Sequence, residues 1–281
     1  MKVRPPTGRR LQNIIVNGLG AAAALITLLG LAWILFGVLS RGLGALNLAF
    51  FTHLPTPPGI PGGGMANAIV GTLAMTLLAT LLAVPVGLLA GVFLAEFGQQ
   101  SRLADQSRFS ANVLMGMPSI IIGVFAYTIL VLPRGKFSGY AGTLALAIIM
   151  LPVVARTAED MLRLVPNTLR EAALALGAPR WKVTLAILFR AARAGLLTGV
   201  LLAIARVSGE TAPLLFTALN SPYGMSSLGE PTPNLTVTIF YYAMSPYPDW
   251  QQMAWGASLL ITCGVLALTL TARLSLRERL R

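Results

Sequence analysis

Glu171-Ala172-Ala173-Leu174-Ala175-Leu176-Gly177 is a short stretch set between two long apolar runs, in the most basic part of the chain. Arg163, Arg170, Arg180, Lys182, Arg190 and Arg193 surround it. That density of charge places it at a membrane surface and not within a bilayer. Locally it reads as a capped helix. Thr168, followed three residues later by Glu171, has the spacing of a capping box. Ala172, Ala173 and Ala175 favour helix and leave a small-residue face able to sit deep in a groove. Gly177-Ala178-Pro179 then ends the helix, because glycine accepts a left-handed turn and proline cannot continue the ladder. An amphipathic helix lying on the membrane and a helix docking into a partner both satisfy this pattern.

Working outward, the composition is that of a polytopic membrane protein. Of 281 residues, 56% are apolar and 11% charged, with a mean hydropathy of +0.75. A soluble domain carries about 25% charged residues. Runs of about 20 apolar residues cross a bilayer as helices. Six stretches qualify: 14–40, 66–96, 110–132, 140–162, 194–219 and 251–272. The chain thus divides into an N-terminal tail, first span and loop (1–65), a core of five spans (66–272) interrupted by the basic segment 163–193, and a basic tail (273–281). The first apolar run is longer than the roughly 7–15 residues of a signal-peptide core, so it reads as a retained anchor. One cysteine, Cys263, and one histidine, His53, allow no internal disulfide and no plausible zinc or haem set. An intramembrane hydrolase would need a nucleophile with its base, or a metal; no span offers two acids or a Ser-Lys constellation with convincing spacing.

The net charge of +12 is a topology signal, with anionic lipid as its partner and no nucleic acid implied. Seventeen Lys and Arg fall on the side of the termini and the 163–193 segment: Lys2, Arg4, Arg9, Arg10, Arg102, Arg108, Arg156, Arg163, Arg170, Arg180, Lys182, Arg190, Arg193, Arg273, Arg277, Arg279 and Arg281. Arg41, Arg134 and Lys136 fall on the other. The bias predicts both termini in the cytoplasm. Spans two to five each carry a proline (Pro85, Pro118, Pro152, Pro213), and spans one and six carry none. Proline frees a carbonyl that lipid cannot satisfy, so spans two to five are expected around a protein-lined pathway. On the outer side, Tyr223, Tyr241, Tyr242, Tyr247 and Trp250 read first as an interfacial belt, and alternatively as contacts to a partner.

The fifth span holds Arg206 and Glu210. Intramembrane charges cost at least about 2.5–3.5 kcal/mol each on insertion scales. Four residues apart in a helix, they would share one face and partly neutralise each other. An inward-facing arginine beside Ser208 and Thr211 suits an oxyanion, which a guanidinium fork grips at two oxygens. A structural ion pair bridging to a neighbouring subunit is the other reading.

These residues carry a resemblance. The run Glu171-Ala-Ala-x-x-x-Gly177, followed after nine residues by Ile187-Leu188, resembles the EAA loop of ABC-importer permeases, with Phe189 where the motif has proline. Ser208-Gly-Glu-Thr-Ala-Pro-Leu-Leu-Phe-Thr217, Pro233-Asn-Leu-Thr-Val-Thr-Ile-Phe240, Ser245-Pro-Tyr-Pro-Asp-Trp-Gln-Gln252, Met117-Pro-Ser-Ile-Ile-Ile-Gly123 and Leu151-Pro-Val-Val-Ala-Arg-Thr157 are similar to the phosphate-specific permeases of the PstA type. The resemblance implies an all-α, six-helix, type I ABC-importer permease in the inner (plasma) membrane. It implies a heterodimer with a PstC-type permease, two PstB-type ATPases that bind the ATP and magnesium, and a periplasmic PstS-type phosphate-binding protein. Arg206, Glu210, Ser208, Thr211 and Arg156 would line the substrate path, although Arg156 reads equally as a positive-inside anchor. Glu171, Ala172, Ala173 and Gly177 would couple to the ATPase. This chain has no G-x-x-x-x-G-K-[ST] run, so ATP is expected to be handled elsewhere, with no cofactor in this subunit. Another oxyanion as cargo (sulfate, molybdate, a phosphonate) and a non-transporting scaffold or sensor subunit are the alternatives.

Overall fold

A computed structural model describes residues 7–60, 62–98 and 101–277. Lys2, Arg4, Arg279 and Arg281 of the basic tails lie outside the described residues. Within them every regular element is helical. In chain order these are α1 (Thr7–Gly42), α2 (Leu48–Thr52), α3 (Ala66–Val92), α4 (Arg102–Gly116), α5 (Ser119–Ala126), α6 (Gly139–Arg163), α7 (Asn167–Ala175), α8 (Arg180–Lys182), α9 (Phe189–Ser208), α10 (Ala212–Leu215), α11 (Leu235–Ala243) and α12 (Pro248–Arg277). Wide π-turns extend α3 through Phe97 and α5 through Val131, and join α8 to α9.

Among the described residues, five helices are long and apolar enough to cross a membrane, and a bent pair makes a sixth candidate. That pair corrects the expected span 110–132. α4 and the helix running from Ser119 to Arg134 meet at 104°. The cause is Pro118: a residue before proline avoids helical backbone, and Met117 is extended at φ −78°, ψ 135°. The expected span 194–219 is displaced as well. Its helix runs from Arg180 to Ser208, stops at Gly209, and resumes as the single turn α10, with Pro213 near its start. Of the four span prolines, Pro85 and Pro152 therefore sit inside continuous helices, and Pro118 and Pro213 stand at breaks.

The bundle is built on α6, the most buried of the spanning helices. α3 packs on one side of it and α9 on the other. Lipid supplies no hydrophobic drive between helices, so close backbone approach through small residues decides these contacts. A Cβ on Gly91 of α3 would stand 2.7 Å from the Ala155 carbonyl oxygen. On α9, Gly195 faces Met161 and Gly199 faces Thr157, which runs α9 antiparallel to α6. Met75, Leu146, Met150, Val154, Val207 and Val237 close the central core. The apolar run of α1 is not buried at all, and this helix touches the rest through Gly42 and Arg41 against α12.

At the end of the bundle away from α7, segment 220–250 is an ordered structure, not an open loop. Asn234 is fully buried; its carboxamide oxygen accepts from Val237 N and its amide donates to the Leu219 carbonyl. Leu219 has a left-handed φ of 56°, uncommon without glycine. Two of the aromatics correct the belt reading. Tyr242 and Trp250 stack at 4.4 Å in a buried cluster with Phe50 and Met65, and Trp250 Nε1 donates to the Thr56 carbonyl. Burial pushes the Tyr242 phenol above its ordinary pKa. Tyr223 is exposed.

Candidate translocation and coupling site

Three polar centres stand at successive levels of this bundle. The first is α7, which contains the EAA run. Pro166, and not Thr168, stands at its N-cap, and no side chain caps it. The expected Thr168–Glu171 capping box is therefore absent: proline presets the entry backbone and starts the helix at Asn167, leaving Thr168 as its second residue. The C-terminus follows the expectation. Gly177 is left-handed at φ 80°, Gly177 N donates to Leu174 O (2.9 Å) and Ala178 N to Ala173 O (3.2 Å), a Schellman closure. The helix has two faces. Ala173 is buried against Leu162, Val165, Val183 and Leu188, so it packs inward. Glu171, Ala172, Leu174, Ala175 and Leu176 are exposed, Leu176 at 89%.

The second centre surrounds Glu159, a residue that the sequence reading passed over. Its carboxylate has no exposure and meets three guanidiniums: Arg108 Nε at 2.7 Å, Arg156 Nη1 at 2.6 Å and Arg163 Nη2 at 2.8 Å. Arg108 also pairs with Asp105 at 2.9 Å, and Arg156 lies 4.0 Å from Asp160. Three cations thus face three carboxylates, which lowers the cost of burying Glu159 as an anion. Arg108 additionally donates to the Leu94 carbonyl at the end of α3. One carboxylate on α6 thereby joins α3, α4 and α6. The signal was present in the sequence as a glutamate with arginines three before and four after it, on one helix face.

The third centre is Arg206. Its Nε lies 3.9 Å from Glu210 Oε1, too far for a hydrogen bond, with the arginine side chain 48% exposed and the glutamate 15%. They do not share a helix face, because α9 ends at Ser208; the break at Gly209 turns Glu210 back towards Arg206. Glu210 is held by its backbone, whose carbonyl accepts from Thr236 Oγ1 (2.9 Å). Ser208 donates its hydroxyl to the Ile204 carbonyl (2.8 Å) and lines a mostly apolar groove between α3, α9 and α12 with Thr72, Thr76 and Thr80. Arg206 does not line that groove, so the structure separates Ser208 from it. Thr211 lies in the break ahead of α10. Arg156 is next to Thr157, which faces Gly199; Arg206 is seven residues further along α9, about 10 Å at 1.5 Å per residue. The two arginines therefore occupy different depths.

A helical bundle that crosses the membrane several times, with ordered segments at one end and a projecting two-faced helix at the other, defines a multi-pass membrane permease. Its fold is that of the type I ABC importers. The MetNI methionine ABC transporter in an inward-facing conformation superposes with a TM-score of 0.63 at 20% identity, covering 76% of this chain and 95% of that one. An amino acid ABC transporter crystallised with histidines gives 0.57 at 18% identity, covering 76% and 92%. Residues 83–278 match the family model of the binding-protein-dependent transport system inner membrane component, and the chain belongs to that family. It is 49% identical over 94% of its length to the phosphate transport system permease protein PstA of Yersinia pestis, covering 90% of that protein. The corresponding figures are 46%, 96% and 96% for PstA of Haemophilus influenzae, and 35%, 99% and 99% for the probable PstA of Methanocaldococcus jannaschii.

Proposed function

We propose that this chain forms one half of the transmembrane pathway of an ATP-driven phosphate importer, with α7 as its coupling helix to a separate ATPase subunit. The cargo assignment is supported by the 46–49% identity to proteins named as phosphate permeases. One observation of the site carries the chemistry: the half-exposed Arg206 guanidinium makes no hydrogen bond to any described residue, and Glu210 stands just out of bonding range. A fork left free in this way can take two oxygens of a tetrahedral anion, and the nearby carboxylate keeps that grip weak enough for release. Arg156, held by Glu159 at a second depth, would meet the anion after it leaves Arg206.

The remaining parts follow from the type of machine. The basic excess supports α7 and both termini on the cytoplasmic side of the inner membrane, and the Tyr223 segment on the outer side, where a PstS-type binding protein would deliver phosphate. A PstC-type permease would supply the other half of the path. Two PstB-type ATPases would bind ATP with magnesium and receive one coupling helix from each permease. Alternating access then requires two conformations that the ATPase and binding protein stabilise differently.

Uptake of labelled phosphate by proteoliposomes containing the whole complex tests this. Wild type is expected to accumulate phosphate on ATP addition, and Arg206→Gln to lose at least about tenfold while still assembling. Uptake of sulfate or molybdate in place of phosphate refutes the cargo. A correctly assembled complex that moves nothing turns the reading towards a scaffold or sensor subunit.

A further inference from the structure

Arg170, the residue before the EAA run, has every donor engaged, and its partners include Glu96 at the end of α3 and Leu162 in the last turn of α6, besides Val165 in the α6–α7 link and Asn167 on α7 itself. An arginine carries five N–H donors in a rigid fork. Nε and Nη2 hold Glu96 Oε1 at 3.1 and 2.8 Å, and Nε also lies 3.2 Å from Oε2. The second Nη2 donor meets the Leu162 carbonyl at 2.6 Å, and Nη1 meets the Val165 carbonyl at 2.6 Å and Asn167 Oδ1 at 2.9 Å. Arg170 and Glu96 are 15% and 13% exposed. Glu96 belongs to the π-turn that ends α3, and Leu162 to the last turn of α6. The same two helix ends are also bridged by Arg108, which donates to the Leu94 carbonyl and to Glu159.

We propose that Arg170 is the positioning residue that passes displacement of the coupling helix to α3 and α6, as a rigid three-way joint. This rests on the coupling role proposed above for α7. The alternative attachment, Ala173 among apolar side chains, is a non-directional contact that permits sliding. A fork fixed at once to a carboxylate on α3 and to carbonyls at the end of α6 does not. Lysine at this position would keep the charge opposite Glu96 but, with three donors on one nitrogen, could not span the carboxylate and both carbonyls.

Two readouts on the full complex test the joint. The first is phosphate transported per ATP hydrolysed, for wild type, Arg170→Gln and Arg170→Lys. Both variants are expected to lower the ratio by about tenfold. A wild-type ratio in Arg170→Lys would mean that a simple ion pair suffices, and overturns the proposal. The second readout does not depend on the cargo. Spin labels are placed at Leu176→Cys on the coupling helix and Leu103→Cys on α4, both exposed, in a Cys263→Ser background. Wild type is expected to give a narrow distance distribution that ATP binding leaves unchanged, because the joint carries α7 along with α3 and α6, to which Arg108 ties α4. Arg170→Gln should broaden it or shift it on ATP binding, as α7 slides against the membrane helices. Superimposable distributions for wild type and Arg170→Gln sink the joint, whatever the cargo proves to be. A wild-type complex that shows the narrow, fixed distribution but carries no phosphate refutes the phosphate reading alone.

Discussion

At the scale of single residues, the molecule places its charges under two opposite regimes. Glu159 is enclosed and matched by three arginines; Arg206 is half exposed and only loosely paired, with Glu210 at 3.9 Å. The first arrangement holds helices together and the second leaves a donor set available. The difference has measurable consequences for stability. Glu159→Ala strips the counter-charge from Arg108, Arg156 and Arg163, and breaking a buried pair in this way typically costs about 3–5 kcal/mol. Asp105→Ala removes the 74%-exposed partner of Arg108, where an ion pair contributes about 0–1 kcal/mol. Thermal unfolding in detergent should therefore show a large loss for Glu159→Ala and almost none for Asp105→Ala. Equal shifts would mean that Glu159 is solvated and the node does not hold the helices.

At the scale of elements, the proposed coupling helix α7 depends on its terminus. Gly177 sits at φ 80° with open space around its Cβ position, so a substitution there is strained by backbone and not by crowding. Left-handed backbone costs an ordinary residue about 1–2 kcal/mol, and asparagine less. Gly177→Val is expected to open the Schellman turn and reduce ATPase recruitment in a pull-down from membranes, with the subunit still inserted; Gly177→Asn should retain recruitment. Full recruitment by the valine variant would show that the closed terminus is dispensable. The glycine was legible in the sequence because its requirement is local. The helix start was not: Thr168 and Glu171 have capping-box spacing, but Pro166 sets the entry backbone two residues earlier. The six apolar runs were legible by length, whereas the bend at Pro118 and the break at Gly209 depend on what the neighbouring helices leave room for. Gly123, for instance, meets Pro213 across the α5–α10 contact. Arg206 stood out as a charge in an apolar run. Glu159 and Arg170 did not, because their surroundings are basic in the sequence and their roles appear once α3, α4 and α6 are brought together.

At the scale of the whole molecule, what matters is which end faces which compartment. The bundle is polarised. One end carries α7, the Glu159 node and the Arg170 joint; the other carries the proline-rich segment before α3, the Tyr242–Trp250 stack and the exposed Tyr223. An ATPase and a binding protein act on opposite sides of a membrane, so the coupling mechanism works in one orientation. Lys and Arg accumulate at the α7 end, and the positive-inside rule predicts the cytoplasm for that end. A thiol-reactive probe that cannot cross membranes settles the matter in intact cells. With Cys263 replaced by Ser, Tyr223→Cys should be labelled from outside, and Leu176→Cys should react once the membrane is permeabilised. Labelling of Leu176→Cys in intact cells would invert the topology. It would move the EAA helix out of reach of any cytoplasmic ATPase, and the proposed coupling would fail with it, because the joint at Arg170 would then have no driven partner.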